Sequence, residues 1–333
     1  MEKLNFDSDE KIKKVMKLSK QAALSALQSY EVEWETIRFN QLSETCTFKI
    51  ETRSDKSFLL RIHIERSRQE IESELACLDA LSSKMDVRIP TGLFTRDGAR
   101  TVCIVDEEGN RICASMTRWV DGEPARKGLT QEQICSEGIL LAKLHQASQE
   151  FELTSRLVRP VWDEQSFIHA MSRLKPYYNR FLSDAEFELY QSAADKIVSR
   201  MIKLSKDKSR YGIIHGDLHQ GNIVFHNGEA RPIDFGRCGF GYFIYDIAHT
   251  ILGLYPAQRE RLIKSYESIR KLENDWFSEL ESFTVMAMIE NYAHHAPDPR
   301  ETVGLKAEQP YAQAIIRNYL KGEPFLFKAI EVD

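Results

Sequence analysis

Apolar and polar positions along the chain change their period near residue 120. Before that point, β-branched and apolar runs dominate at Trp34 to Phe39, Thr45 to Thr52 and Phe58 to Ile64. The polar stretch Arg53-Ser54-Asp55-Lys56 separates the last two as a hairpin turn would. Two further strands are predicted at Thr101 to Val105 and Arg111 to Trp119, parted by the polar turn Asp106 to Asn110. Two helices are predicted in the same region. Lys11 to Tyr30 gathers Ile12, Val15, Met16, Ala22, Ala23, Ala26 and Leu27 on one side, with a cap at Ser8 or Asp9. Glu70 to Leu81 repeats Ile71, Leu75, Leu78 and Leu81 at helical spacing and ends before the break Pro90-Thr91-Gly92. After residue 120 helical periodicity takes over, at Thr130 to Ser148, Ser183 to Leu204 and Ala257 to Ile269, interrupted by a β-type stretch from Ile213 to Phe235. The pattern predicts an α+β chain with a β-rich lobe over 1–120 and a mainly helical lobe over 121–333, joined at Asp121-Gly122-Glu123-Pro124.

Composition narrows the possibilities. A chain of 333 residues, 42% of them apolar, can bury a substantial core. Its net charge of -5 provides no basic surface for nucleic acid. No stretch approaches the ~18 apolar residues of a membrane span, and the first ten residues carry no apolar leader core. Six scattered cysteines without a CxxC pair fit reduced thiols in a cytoplasmic protein.

The β-type interruption holds the chemistry. Asn227-Gly228 between apolar runs is the preferred two-residue type I′ turn, so His226 should face Glu229, and Asn222 should fall opposite Ile233, beside Asp234. Asp217 lies five residues before Asn222 on a loop containing Gly216 and Gly221, which can bring its carboxylate to the mouth of the hairpin. A carboxylate and an amide oxygen from adjacent strands suit Mg2+, which takes its remaining ligands from water and phosphate. Asp217 is then left to accept the proton of an attacking hydroxyl.

The wording His215-x-Asp217-x-x-x-x-Asn222 followed by Ile233-Asp234-Phe235-Gly236 resembles the catalytic loop and metal-binding triplet of the protein-kinase superfamily. His-Gly-Asp-Leu-His-x-Gly-Asn is similar to its aminoglycoside phosphotransferase and choline kinase branch. The resemblance implies a bilobal kinase-like fold with a catalytic hairpin, ATP and Mg2+ as cofactors, Asp217 as catalytic base, and Asn222 and Asp234 as metal ligands. It also implies nucleotide contacts from Arg61, standing where the family has Lys, and from its helix partner Glu74. Ser43, in a turn without glycine, takes the place of the covering loop. Thr117 and Trp119, within Met116-Thr117-Arg118-Trp119, take the place of the hinge whose backbone meets adenine. Asp246, in a motif similar to the family's Asp-Leu-Ala, would support the catalytic loop; Leu141-Ala142-Lys143-Leu144-His145 resembles the family's Leu-x-x-Leu-His helix, with His145 read as a core histidine and His215 as a brace.

The family places its acceptor site near the helical region that here runs from Glu273 to Glu301. That region is rich in acidic and aromatic side chains, Glu290, Trp276 and Tyr292 among them, which would suit a small cationic acceptor such as an amino sugar, choline-like amine or amino alcohol. Three alternatives differ in class: a Ser/Thr protein kinase of the same fold, a pseudokinase suggested by Arg61 and the glycine-free turn, and a metallohydrolase built on His215, Asp217 and His219.

Overall fold

The computed structural model describes residues 9–43, 45–105, 109, 111–125, 128–151, 157–273 and 275–331. Ser8 and most of the 106–110 turn lie outside them. The chain divides into two compact units, Met1–Asp121 with Thr154–Arg159, and Gly122–Leu153 with Pro160–Asp333.

In the first unit, β1 (Trp34–Leu42), β2 (Cys46–Thr52), β3 (Ser57–His63), β4 (Val102–Val105) and β5 (Arg111–Arg118) form an antiparallel sheet in the order β1-β2-β3-β5-β4. The 53–56 turn closes as predicted, with Asp55 at φ +55° and the Thr52 N–H bonded to the Lys56 carbonyl. Helix α1 (Asp9–Leu27) lays Ala22, Ala23, Ala26 and Leu27 onto a core of Phe48, Ile50, Leu60, Ile62, Ala114 and Met116. This apolar burial is the main stabiliser of the unit. Helix α2 (Arg68–Ser82) starts at a Ser67–Glu70 capping box and buries the four apolar positions anticipated for it.

The second unit is mostly helical. Helix α3 (Gln131–Gln149) is capped by Thr130, α4 (Glu164–Leu174) by Asp163 and α5 (Asp184–Met201) by Ser183. A three-stranded sheet β6-β10-β7 joins β6 (Val161–Trp162), β7 (Tyr211–Ile214) and β10 (Gly239–Tyr242). Hairpin β8 (Ile223–His226) and β9 (Glu229–Pro232) stands apart from it. Helices α6 (Phe243–Leu252), α7 (Pro256–Glu267), α8 (Trp276–His295) and α9 (Thr302–Lys321) complete the unit. Along α8, Leu280 to Ile289 is buried on every side, so it lacks the one-sided stripe by which sequence periodicity marks a helix. None of the six cysteines is joined in a disulfide. Among the described residues no helix is long and apolar enough to cross a membrane.

Candidate active site

The hairpin takes the register its sequence demands. Asn227 and Gly228 hold φ of +51° and +83°, His226 pairs with Glu229, and Ile223 with Pro232. The Ile233 N–H donates to the Asn222 carbonyl at 2.9 Å, which sets Asp234 beside Asn222. The Asn222 side-chain NH2 donates to the carbonyl of Asp217 at 2.9 Å. Its Oδ1 is the remaining donor atom for a cation. An amide oxygen and a carboxylate fit Mg2+, which leaves its other positions to phosphate and water. Asp234 sits at φ +58°, in the left-handed region that non-glycine residues rarely adopt and that recurs at functional sites.

The loop carrying Asp217 is held from behind. Asp246 accepts the His215 N–H at 2.7 Å on one oxygen and the Gly216 N–H at 2.8 Å on the other. Burial pushes the Asp246 carboxyl upward, but His145 and these donors outweigh it and hold the group below its ordinary value. The Thr250 hydroxyl donates to the Leu218 carbonyl at 2.6 Å. Gly216 takes φ +77°, and a Cβ there would lie 2.5 Å from the Arg237 carbonyl oxygen, so only glycine passes. The histidines serve the scaffold. His215 Nε2–H donates to the Ile233 carbonyl at 2.9 Å, and His219 Nδ1 accepts the Gly221 N–H at 3.0 Å. His145 is fully buried against the Tyr266 hydroxyl and Asp246. Among the described residues no group of three or more His, Cys, Asp or Glu side chains is placed to hold a metal ion, and His215, Asp217 and His219 form none.

The nucleotide residues expected in the first unit fall into two groups. Arg61 and Glu74 meet in a buried ion pair. Glu74 also receives Arg66 at 2.9 Å and Arg159 at 3.5 Å, so three guanidinium groups share one carboxylate. Arg66 and Arg159 escaped the sequence reading; Arg66 stands only five residues beyond Arg61, whereas Arg159 returns from beyond α3 with no local signal. The surplus of positive charge acts on His63, whose pKa is driven well below normal first by burial and then by the three arginines. Ser43 is exposed at the β1–β2 turn, its N–H bonded to the Thr45 carbonyl at 3.0 Å. Thr117 is buried within β5, paired with Leu59 and bridged to Gly92. The Trp119 N–H donates to the Ser57 carbonyl at 3.0 Å, extending the β3–β5 ladder. Arg118 and Trp119 border a cavity of ≈660 Å³.

This geometry has relatives. An amicoumacin kinase of Bacillus subtilis (strain 168) is 22% identical over 257 residues, covering 75% of this chain and 73% of that protein. A microcompartment-associated aminopropanol kinase superimposes with a TM-score of 0.79 at 24% identity, over 94% of this chain and all of its own. An amicoumacin kinase in complex with AMP-PNP, Ca2+ and Ami superimposes at 0.75 with 19% identity, over 95% of this chain and 97% of its own. At such identities the two structures speak for the fold, an α+β fold of the protein-kinase-like class. The model of the phosphotransferase enzyme family matches residues 36–278, most of the chain and all of the loop described above, and the chain belongs to that family.

Proposed function

We propose that the protein transfers the γ-phosphate of Mg-ATP to a hydroxyl of a small, amine-bearing molecule in the cytoplasm. The observation that carries this reading is the loop itself: Asn222 tied to the Asp217 carbonyl, Asp234 one residue beyond the Ile233 hydrogen bond, and Asp246 gripping two successive amides. In this reading Asp217 orients the acceptor hydroxyl and takes its proton as the oxygen attacks phosphorus and ADP leaves. Asn222 and Asp234 hold Mg2+, which when bound neutralises phosphate charge. Arg61, oriented by Glu74, reaches the phosphates, while Ser43 and the backbone at Thr117 and Trp119 flank the nucleotide. The first unit thus serves the nucleotide, and the second serves catalysis and the acceptor.

A small acceptor is favoured over a protein because residues 235–245 run directly into β10 and α6, leaving little chain for a peptide-docking platform. The amine is favoured by the acidic and aromatic α8 region and by relatives whose names specify amicoumacin and aminopropanol. The test is ADP release with Mg-ATP and a panel of amino sugars, choline, homoserine and amino alcohols. Acceptor-dependent ADP supports the reading; phosphate appearing only on protein would support the Ser/Thr kinase alternative. Asp234→Ala is expected to lose Mg-dependent nucleotide binding in a thermal-shift assay, and normal binding of Mg-ATP would remove Asp234 from the metal site.

A further inference from the structure

The edge of the sheet in the first unit brings two cysteines together. Cys103 on β4 and Cys113 on β5 stand directly opposite each other in the antiparallel ladder, between the pairs Val102–Ala114 and Ile104–Ile112. Those four neighbours pack toward the α1 core, so by strand alternation both cysteine side chains share the other face. Arg68, the first residue of α2, interacts electrostatically with both thiols. Opposed residues of an antiparallel ladder have Cα atoms roughly 4.5–5.5 Å apart, inside the span of about 4.4–6.8 Å that a disulfide bridges. Side-chain rotation can therefore bring the two sulfurs to bonding distance while the strands stay in register.

The two thiols differ in access. Cys103 is half-buried and Cys113 is buried. Burial first, and then Cys103 through hydrogen bonding and charge, push the Cys113 thiol up to about 12, while Arg111 and Arg68 act the other way. The accessible thiol reacts first. Once Cys103 is held in a mixed disulfide its sulfur carries no charge, and part of what raises Cys113 is gone. We propose that Cys103 and Cys113 form a disulfide when the protein meets a low-molecular-weight disulfide, and that the bond fastens edge strand β4 to the sheet. The Cys103 thiolate attacks one sulfur of the oxidant RS–SR and expels a thiolate, leaving a mixed disulfide; the Cys113 thiolate then attacks the Cys103 Sγ and expels the second thiolate. Each leaving thiolate takes up the proton its cysteine gave, so two protein thiols are oxidised and one RS–SR is reduced to two RSH. A reversible bond of this kind is the form that disulfides take in a reducing compartment. β4 is four residues long and pairs with β5 alone, so it is the strand of the sheet with the most to gain from a covalent tie.

The test treats the native full-length protein with oxidised glutathione and follows it by intact mass, by peptide mapping without reduction and by amide hydrogen exchange. The expected product has lost two hydrogens, joins the peptides of Cys103 and Cys113, reverts with dithiothreitol and exchanges its β4 amides more slowly. Cys113→Ser removes the second thiol and should stop at one glutathione held on Cys103. Cys103→Ser should leave Cys113 unmodified over the same time. Cys135, half-buried on α3, is the reference for accessibility alone. Absence of the cross-link, whether Cys103 stays free or keeps its glutathione as Cys135 does, overturns the pair in the wild-type protein and needs no variant to fold. A cross-link that joins either residue to a different cysteine overturns it as well. If the expected cross-link forms and the β4 amides exchange as before, the fastening of the edge strand is overturned.

Discussion

The catalytic loop and the arginine cluster assemble charge in opposite ways. Around Asp217 the order comes from backbone: hydrogen bonds to the carbonyls of Asp217, Leu218 and Ile233 and to the amides of His215 and Gly216 fix the loop. Around Glu74 it comes from side-chain charge, three arginines converging on one buried carboxylate. A backbone-held loop places a group accurately without depending on that group's own charge. The cluster, by contrast, depends on its single anion, because removing one partner of a buried charge set leaves the others uncompensated.

The contrast can be broken at both ends. The largest effect is expected for Asp217→Asn, a loss of roughly 10³-fold in turnover with nucleotide affinity nearly unchanged, since the loop does not need the carboxylate to keep its shape. Unchanged turnover would take Asp217 out of the proposed role. Glu74→Gln should cost about 3–5 kcal/mol of stability in urea unfolding and raise the KM for ATP. Adding Arg159→Gln should recover part of that loss by removing a repelled guanidinium, and a further loss instead would show that Arg159 stabilises by packing.

The smallest effect concerns a third setting, a carboxyl under the loop. Glu137, fully buried on α3 with only Gln220 nearby at 3.4 Å, is pushed by burial from the ordinary value of 4.5 up to about 7. The folded protein therefore holds this proton more tightly than the unfolded chain. The group's stabilising contribution is complete below pH 4.5 and is lost as pH rises through about 7, by up to about 3 kcal/mol. Glu137→Gln should flatten that part of the pH–stability curve, read as urea midpoints from pH 5 to pH 8.

How much of this the sequence disclosed follows the same division. Asn227-Gly228 and the five-residue step from Asp217 to Asn222 were enough to set the hairpin register, because turn geometry and strand pairing are local. The five strands of the first unit and the capped helices α2, α3 and α5 were legible for similar reasons, whereas β6 and β10 were not. Arg159 was not, since its approach to Glu74 depends on the path the chain takes after α3. Nor was the hydrogen bond from the Tyr245 hydroxyl to Glu290, which joins two helices far apart in sequence.

One feature of the second unit bears on control. Only Phe235 to Cys238 separate Asp234 from β10, and that strand is hydrogen-bonded on both edges, to β6 and to β7. A strand fixed on both sides has no loose segment for a covalent mark to order or release, the means by which many signalling kinases are switched. Between Asp234 and α6 the chain therefore offers no switch of that kind.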